Sequence, residues 1–238
     1  MRLAFALVLI AVLASMACGS VIARKYEYEE EVFLDLDGSA TVYVNASVPA
    51  LVSLRGLGLP IDGRARLDRQ VVRDLYETPV SQVASVTTSR REGRRYVHLR
   101  ITVDDIRRLG EAPPFAWSTY RFLEGDGQVE FSQTLRASAG QSVGNVGWDG
   151  SELAAVRLHL PSEVTFNNSP SPRMRGNILV WEQLLTERLR GSPLEVQARM
   201  GNQSILFRTL ALFGAMGVLV VITFIAAIWF VRTRQPVA

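Results

Sequence analysis

The stretch "TLALFGAMGVLVVITFIAAIWFV", Thr209 to Val231, runs for 23 residues without a charge. As a helix rising 1.5 Å per residue it reaches about 34 Å, enough to cross the hydrocarbon core of a bilayer with some tilt. Trp229 and Phe230 stand where an aromatic belt belongs, and Arg232 and Arg234 follow at once. Basic residues beside a span stay on the cytoplasmic side. The expectation is a single transmembrane helix over 209–231 and a short cytoplasmic tail over 232–238.

The N-terminal end reads as an export signal. Arg2 is a brief positive region, and "LAFALVLIAVLASMA", Leu3 to Ala17, is apolar but too short to span a bilayer. Ser15 and Ala17 put small residues at the −3 and −1 positions before Cys18, as a signal peptidase requires. Residues 1–17 are therefore read as a signal peptide. Cys18 is a candidate for lipidation, against the simpler reading of an unmodified residue at the mature N-terminus. An exported start and a cytoplasmic end make a single-pass protein whose main domain, 18–208, lies outside the cytoplasm.

That exported body is long enough for one substantial core. Cys18 is the sole cysteine, so no intramolecular disulfide forms. The cations are 25 arginines and the single Lys25, a skew that fits a GC-rich genome. Together these point to a bacterial envelope protein, held in the inner cell membrane. A formal net charge of +3 gives no argument for a nucleic-acid partner.

Most of the exported part is patterned as strands. In "VFLDLDGSATVYVNASV" apolar residues alternate on both sides of Asp37-Gly38, a two-residue hairpin signal. Leu67, Val71, Val72 and Leu75 have helical spacing, so a helix is expected over Asp68–Tyr76, stopped by Pro79. A second hairpin turns at Arg90–Gly93 and places Val97, Leu99, Ile101 and Val103 on one face. Asp104 is a candidate cap for a short helix through Leu109. A third hairpin turns at Gly125-Asp126-Gly127, and strands follow in "LAAVRLHLP", "ILVWEQ" and "PLEVQARM". The segment from Leu51 to Ile61 is read as loop. Consecutive hairpins with few helices imply an α+β fold: an antiparallel, hairpin-rich curved sheet with one or two short helices, plus the C-terminal transmembrane helix.

Within "LHLPSEVTFNNSPSPRMRGNILVWEQ", Leu158, Pro161, Val164, Asn167 or Asn168, Gly176, Asn177 and Trp181 form a strand–Pro–x–x–Val–x–x–Asn–loop–Gly–Asn–strand–Trp pattern. This resembles the C-terminal part of the LppM-type domain of mycobacterial and related envelope lipoproteins. The order of signal, β-rich body, "EVQA" strand, membrane helix and basic tail is similar too. The resemblance implies an exported α/β domain like lipid-binding folds, with envelope glycolipids as ligands. Read physically, Pro161 ends a strand, Gly176-Asn177 makes a turn and Trp181 is a large anchor. Trp181 is also a candidate ligand contact.

Catalytic and metal patterns are sparse. Gly140-Gln-Ser142-Val-Gly144 matches G-x-S-x-G, but a nucleophile elbow needs a helix after the turn, and "NVGWDGSE" reads as loop. Asp149 and His159 would have to complete a triad from the same loop and the next strand. His98 and His159 sit on strands without cysteine or carboxylate at metal-ligand spacing. Asp35 and Asp37 are explained by their hairpin rather than by a calcium loop. No cofactor or metal is expected. Arg64, Arg66, Arg69 and Arg73 bracket the expected helix. They are either a solvated face or a contact for anionic headgroups, each arginine then adding about 1 kcal/mol.

The resulting expectation is a non-enzymatic, membrane-anchored extracytoplasmic domain that binds a lipid or glycolipid of the envelope. The alternative is a protein-interaction subunit of a membrane complex without a small ligand, and a serine hydrolase is more remote. One acyl chain binds membranes only marginally, whereas a spanning helix holds irreversibly. Cys18→Ser is therefore expected to leave the protein in the membrane fraction. Its release as a soluble protein would show that Cys18, and not the helix, is the anchor.

Overall fold

The computed structural model describes residues 24–138, 141–170 and 177–233. The signal peptide, Cys18, Gly140, Gly176 and Arg234 lie outside the described residues. The body is α+β, as the alternation predicts, but its strands divide between two sheets packed face to face rather than forming one curved sheet.

The first sheet contains β1 (Tyr26–Leu34), β2 (Ala40–Ser47), β3 (Gln82–Arg91), β4 (Arg94–Val103), β7 (Leu153–His159) and β9 (Ile178–Leu184), in the order β3-β4-β2-β1-β7-β9. The second contains β5 (Ser118–Gly125), β6 (Gln128–Leu135), β8 (Val164–Asn167) and β10 (Leu194–Gly201), in the order β5-β6-β10-β8. Pairing is antiparallel throughout, except that β7 lies parallel to β1, with Glu30 opposite Val156 and Val32 opposite Leu158. Parallel neighbours need a long crossover. Here everything from β2 to β6 lies between the two strands in sequence, and Leu153 enters beside the start of β1 by donating to the Lys25 carbonyl at 2.8 Å.

The turns follow their local chemistry. Glu92 and Gly93 both have positive φ, 50° and 76°, the requirement of a type I′ hairpin. The expected helix over 68–76 is α2 (Arg69–Tyr76), with Asp68 as its N-cap accepting from Gln70 N at 2.8 Å. Val72 and Tyr76 face inward, but Val71 is exposed. Asp105 rather than Asp104 caps the next segment, a 3₁₀ turn over Ile106–Glu111.

The segment read as loop contains a helix, α1 (Val48–Arg55). Ser47 caps it by accepting from Ala50 N at 3.1 Å, Pro49 occupies the first turn, and Gly56 ends it at φ 68°. Every residue from Val48 to Leu54 is buried. A helix covered on all sides has no polar face, so the 3.6-residue period that marks a surface helix is missing. α1 packs on β1, β2 and β4 of the first sheet and meets the one-turn α3 (Leu185–Leu189); Phe115 and Trp117 join the same apolar cluster. Leu51 and Leu54 of α1 are fully buried.

In β1, Tyr28, Glu30, Val32 and Leu34 share the inner face, which carries a carboxylate into the core. Glu30 accepts from Tyr28 Oη (2.7 Å), Tyr120 Oη (2.9 Å), Gln133 Nε2 (2.8 Å) and Arg55 Nη2 (2.9 Å). The Arg55 guanidinium lies 4.7 Å from the Tyr28 ring centroid, 4.9 Å from Phe115 and 4.6 Å from Trp117, and it donates to the Pro114 carbonyl. Arg188 of α3, also fully buried, lies 5.1 Å from the Trp117 centroid and donates to the carbonyls of Leu135, Arg136 and Ser192.

Burial pushes the Glu30 carboxyl up to about 7, while the hydrogen bonds from Tyr120 and Gln133 favour its charged form. At pH values between about 4.5 and 7 the folded carboxyl therefore holds a proton that the unfolded chain has released. The associated stability is complete below about 4.5 and is lost as pH rises through about 7. The expected loss is about 3 kcal/mol. It is read as the difference in urea-unfolding free energy between wild type and Glu30→Gln across that window. A difference independent of pH would contradict the raised carboxyl.

Candidate functional site

The described chain ends in α4 (Ile205–Thr233), of which Ile205–Phe230 is long and apolar enough to cross a membrane. It begins earlier than the charge-free run because Ile205, Leu206 and Phe207 precede Arg208 on the same helix. The helix is tied to one end of the sandwich. Ile205 N donates to the Pro161 carbonyl at 3.1 Å, Ser162 Oγ to Gln203 O at 2.7 Å, and Asn202 N to Gly127 O at 3.1 Å. That end also holds the β5–β6 turn and the β1–β2 turn, where a Cβ on Gly38 would sit 3.3 Å from the Phe122 ring.

Beside this exit the outer face of the second sheet changes character. Its outward residues are mostly polar: Thr119 and Arg121 on β5, Ser132 and Thr134 on β6, and Glu195 and Gln197 on β10. One cross-strand row departs from this pattern. Leu123 pairs with Glu130, Glu130 with Arg199, and Arg199 with Phe166, so the four residues span all four strands on one face. Leu123 is 58% and Phe166 44% exposed. Between them Arg199 Nε donates to Glu130 Oε2 at 2.9 Å, and the guanidinium lies 5.2 Å from the Phe166 ring centroid. Its terminal nitrogens have no acceptor among the described residues. A shallow depression bounded by Leu123, Glu124, Gln128, Glu130 and Arg199 adjoins the row, and a second one reaches Leu36 and Asn202.

Two apolar side chains flanking a guanidinium, two residues before Gly201 gives way to the membrane helix, match the chemistry of a bilayer interface. Apolar tips of this kind can enter an acyl boundary, and a guanidinium can bond phosphate or carboxylate oxygens. As a row these four residues are not legible in the sequence. The one local signal is Leu123, which falls on the polar phase of β5 next to inward Phe122. Phe166 and Arg199 become its neighbours only through register.

The residues singled out in sequence lie elsewhere. Trp181 is a core residue whose Nε1 donates to Asn168 Oδ1 at 2.9 Å. Arg64 lies beside the start of β4, at the end of the sheet remote from α4, and Arg66 and Arg69 are exposed. Arg73 donates to the Val83 carbonyl. His98 bridges Ser89 at 2.8 Å and Asn45 at 2.9 Å, and burial with the nearby Arg91 charge lowers its pKa. His159 bonds Glu31 at 2.6 Å and stacks on Phe33 at 3.9 Å. The residues of the G-x-S-x-G reading do not converge. Asp149, held strongly acidic by Lys25 and Ser151, precedes β7, and His159 ends it, about 20 Å further along the strand. Among the described residues no group of three or more His, Cys, Asp or Glu is arranged to hold a metal ion.

No protein-family model and no curated protein matches this chain. Among solved structures it is similar to the NMR structure of the folded domain of the Mycobacterium tuberculosis LppM protein. The TM-score is 0.41 at 12% identity, over 78% of this chain and 95% of that one. A likeness of that size carries no residue role across, and the reading of the row rests on its own chemistry.

An exposed ion pair contributes little to folding. Arg199→Ala and the pair Leu123→Ser with Phe166→Ser are each expected to change the unfolding free energy by less than about 1 kcal/mol in urea titrations. A loss of several kcal/mol would make the row part of the core rather than a surface held for contact.

Proposed function

We propose that this protein is a single-pass, membrane-tethered binding domain on the outer face of a bacterial cytoplasmic membrane. In this proposal it recognises the headgroup of an envelope lipid or glycolipid at the row Leu123–Glu130–Arg199–Phe166. The observation that carries the reading is the position of that row on the strand that leads into α4. A tethered domain holds such a row at the bilayer surface at high effective concentration, so even a modest contact is populated. Arg232 in the last turn of α4 supports a cytoplasmic C-terminal end. Recognition through a headgroup, rather than by engulfing an acyl chain, suits a core in which every residue of α1 from Val48 to Leu54 is buried.

The second reading, a protein-interaction subunit, draws on a different feature. β3 is an edge strand of ten residues, exposed over most of its length, and such an edge can accept a strand from a partner.

A photoreactive benzophenone residue at position 123, in full-length protein extracted with its native lipids, separates the two. Lipid or glycolipid adducts that decline with Arg199→Glu are expected. Adducts to protein alone would replace the lipid reading with the interaction subunit.

A further inference from the structure

The end of the sandwich remote from α4 carries a concentration of arginine, several of them without an ion-pair partner among the described residues. Arg64 and Arg66 lie in the loop before α2, Arg90 and Arg91 end β3, and Arg94 and Arg95 begin β4. Five carboxylates share this end, and each is engaged: Asp149 pairs with Lys25 at 2.5 Å, Glu152 accepts from the backbone of Asp149 and Gly150, and the other three meet arginine. Glu27 and Glu92 bond Arg94 at 2.9 and 2.7 Å, and Asp62 Oδ1 accepts from Arg64 N at 2.8 Å. Arg64, Arg66, Arg90, Arg91 and Arg95 form no ion pair among the described residues.

This end is built, not merely charged. A Cβ on Gly63 would lie 2.1 Å from the Gly93 carbonyl oxygen, so only glycine lets the 62–66 loop meet the β3–β4 turn this closely. Arg90 donates to the Gly63 carbonyl and Arg95 to the Arg64 carbonyl at 3.4 Å, which stitches loop to hairpin. Arg91 is fixed by the Tyr26 carbonyl at 2.9 Å and lies 4.4 Å from the Tyr96 ring centroid. A surface depression bounded by Ile61, Asp62, Gly63, Glu92, Gly93 and Arg94 runs alongside, so anion contacts fall to the arginines outside it.

We infer that this end docks a phosphate-bearing polymer located on the far side of the domain from its own membrane. β4 separates the two ends by about 30 Å, nine residue steps of strand. Electrostatic attraction to headgroups decays over about 8 Å at physiological ionic strength, so the tethering bilayer does not reach these arginines when the strands rise from it. Guanidiniums spread over a loop and a hairpin turn suit a chain of repeated anions better than one small ion. The inference goes beyond the lipid-facing reading of the other end and uses none of its residues.

The test uses full-length protein in nanodiscs of zwitterionic phosphatidylcholine, titrated with inorganic polyphosphate at several salt concentrations. Arg64→Gln with Arg66→Gln removes two guanidiniums whose side chains have no partner among the described residues. Affinity is expected to weaken with salt and to fall about thirtyfold in that variant, at about fivefold per arginine. Arg121→Gln, on the outer face of the second sheet, serves as the control and is expected to bind as wild type. Absence of binding, or an equal loss in both variants, would overturn the inference. Capture by added phosphatidylglycerol vesicles that outcompetes polyphosphate would also overturn it, because a second membrane would then be the partner.

Discussion

Glu30 is the constraint around which the interior is organised. Strand alternation turns it inward between Tyr28 and Val32, where an isolated carboxylate would be strongly disfavoured. Its partners come from each layer that has to meet: Arg55 from α1, Tyr28 from its own strand, and Tyr120 and Gln133 from the second sheet. A displaced sheet would leave this carboxylate, and the guanidinium beside it, buried without partners. The cluster therefore selects one packing of the two sheets, beyond what nonspecific apolar burial would do. Trp117 extends it by lying against both Arg55 and Arg188, so α3 is drawn into the same arrangement.

The fixed packing gives the molecule two unlike ends. At one, hydrogen bonds from Asn202, Ile205 and Ser162 join the sandwich to α4, and the row from Leu123 to Phe166 lies on the same strands. At the other, Gly63 lets a loop close onto a type I′ turn and gathers arginines about one strand length away. The exposed side chains at each end, Leu123 and Phe166 at one and Arg64 and Arg66 at the other, take no part in the core. That exposure makes Leu123 and Phe166, and the unpaired arginines, informative about contacts made outside the chain.

Much of the local structure is legible in the sequence. Asp37-Gly38 and Glu92-Gly93 mark hairpins because turn chemistry acts over a few residues, and Asp68 with its apolar spacing marks α2. α1 escaped the periodicity because every face of it is buried, although Ser47, Pro49 and Gly56 punctuate it. The division into two sheets, and the parallel pairing of β1 with β7, depend on contacts between residues far apart in the chain. Alternation says which side of a strand faces inward, not which sheet it joins. For the same reason Glu30 reads as one of a charged run, and the four residues of the row Leu123–Glu130–Arg199–Phe166 are scattered between positions 123 and 199.

The account depends most on how the domain stands on its membrane. Depth-dependent fluorescence quenching measures this directly, using single labels at Leu123→Cys or Arg66→Cys in a Cys18→Ser background, reconstituted with lipid-borne quenchers. Strong quenching at position 123 and none at position 66 is the predicted result. Equal quenching at both positions, or stronger quenching at position 66, would place the arginine-rich end at the bilayer and contradict the account.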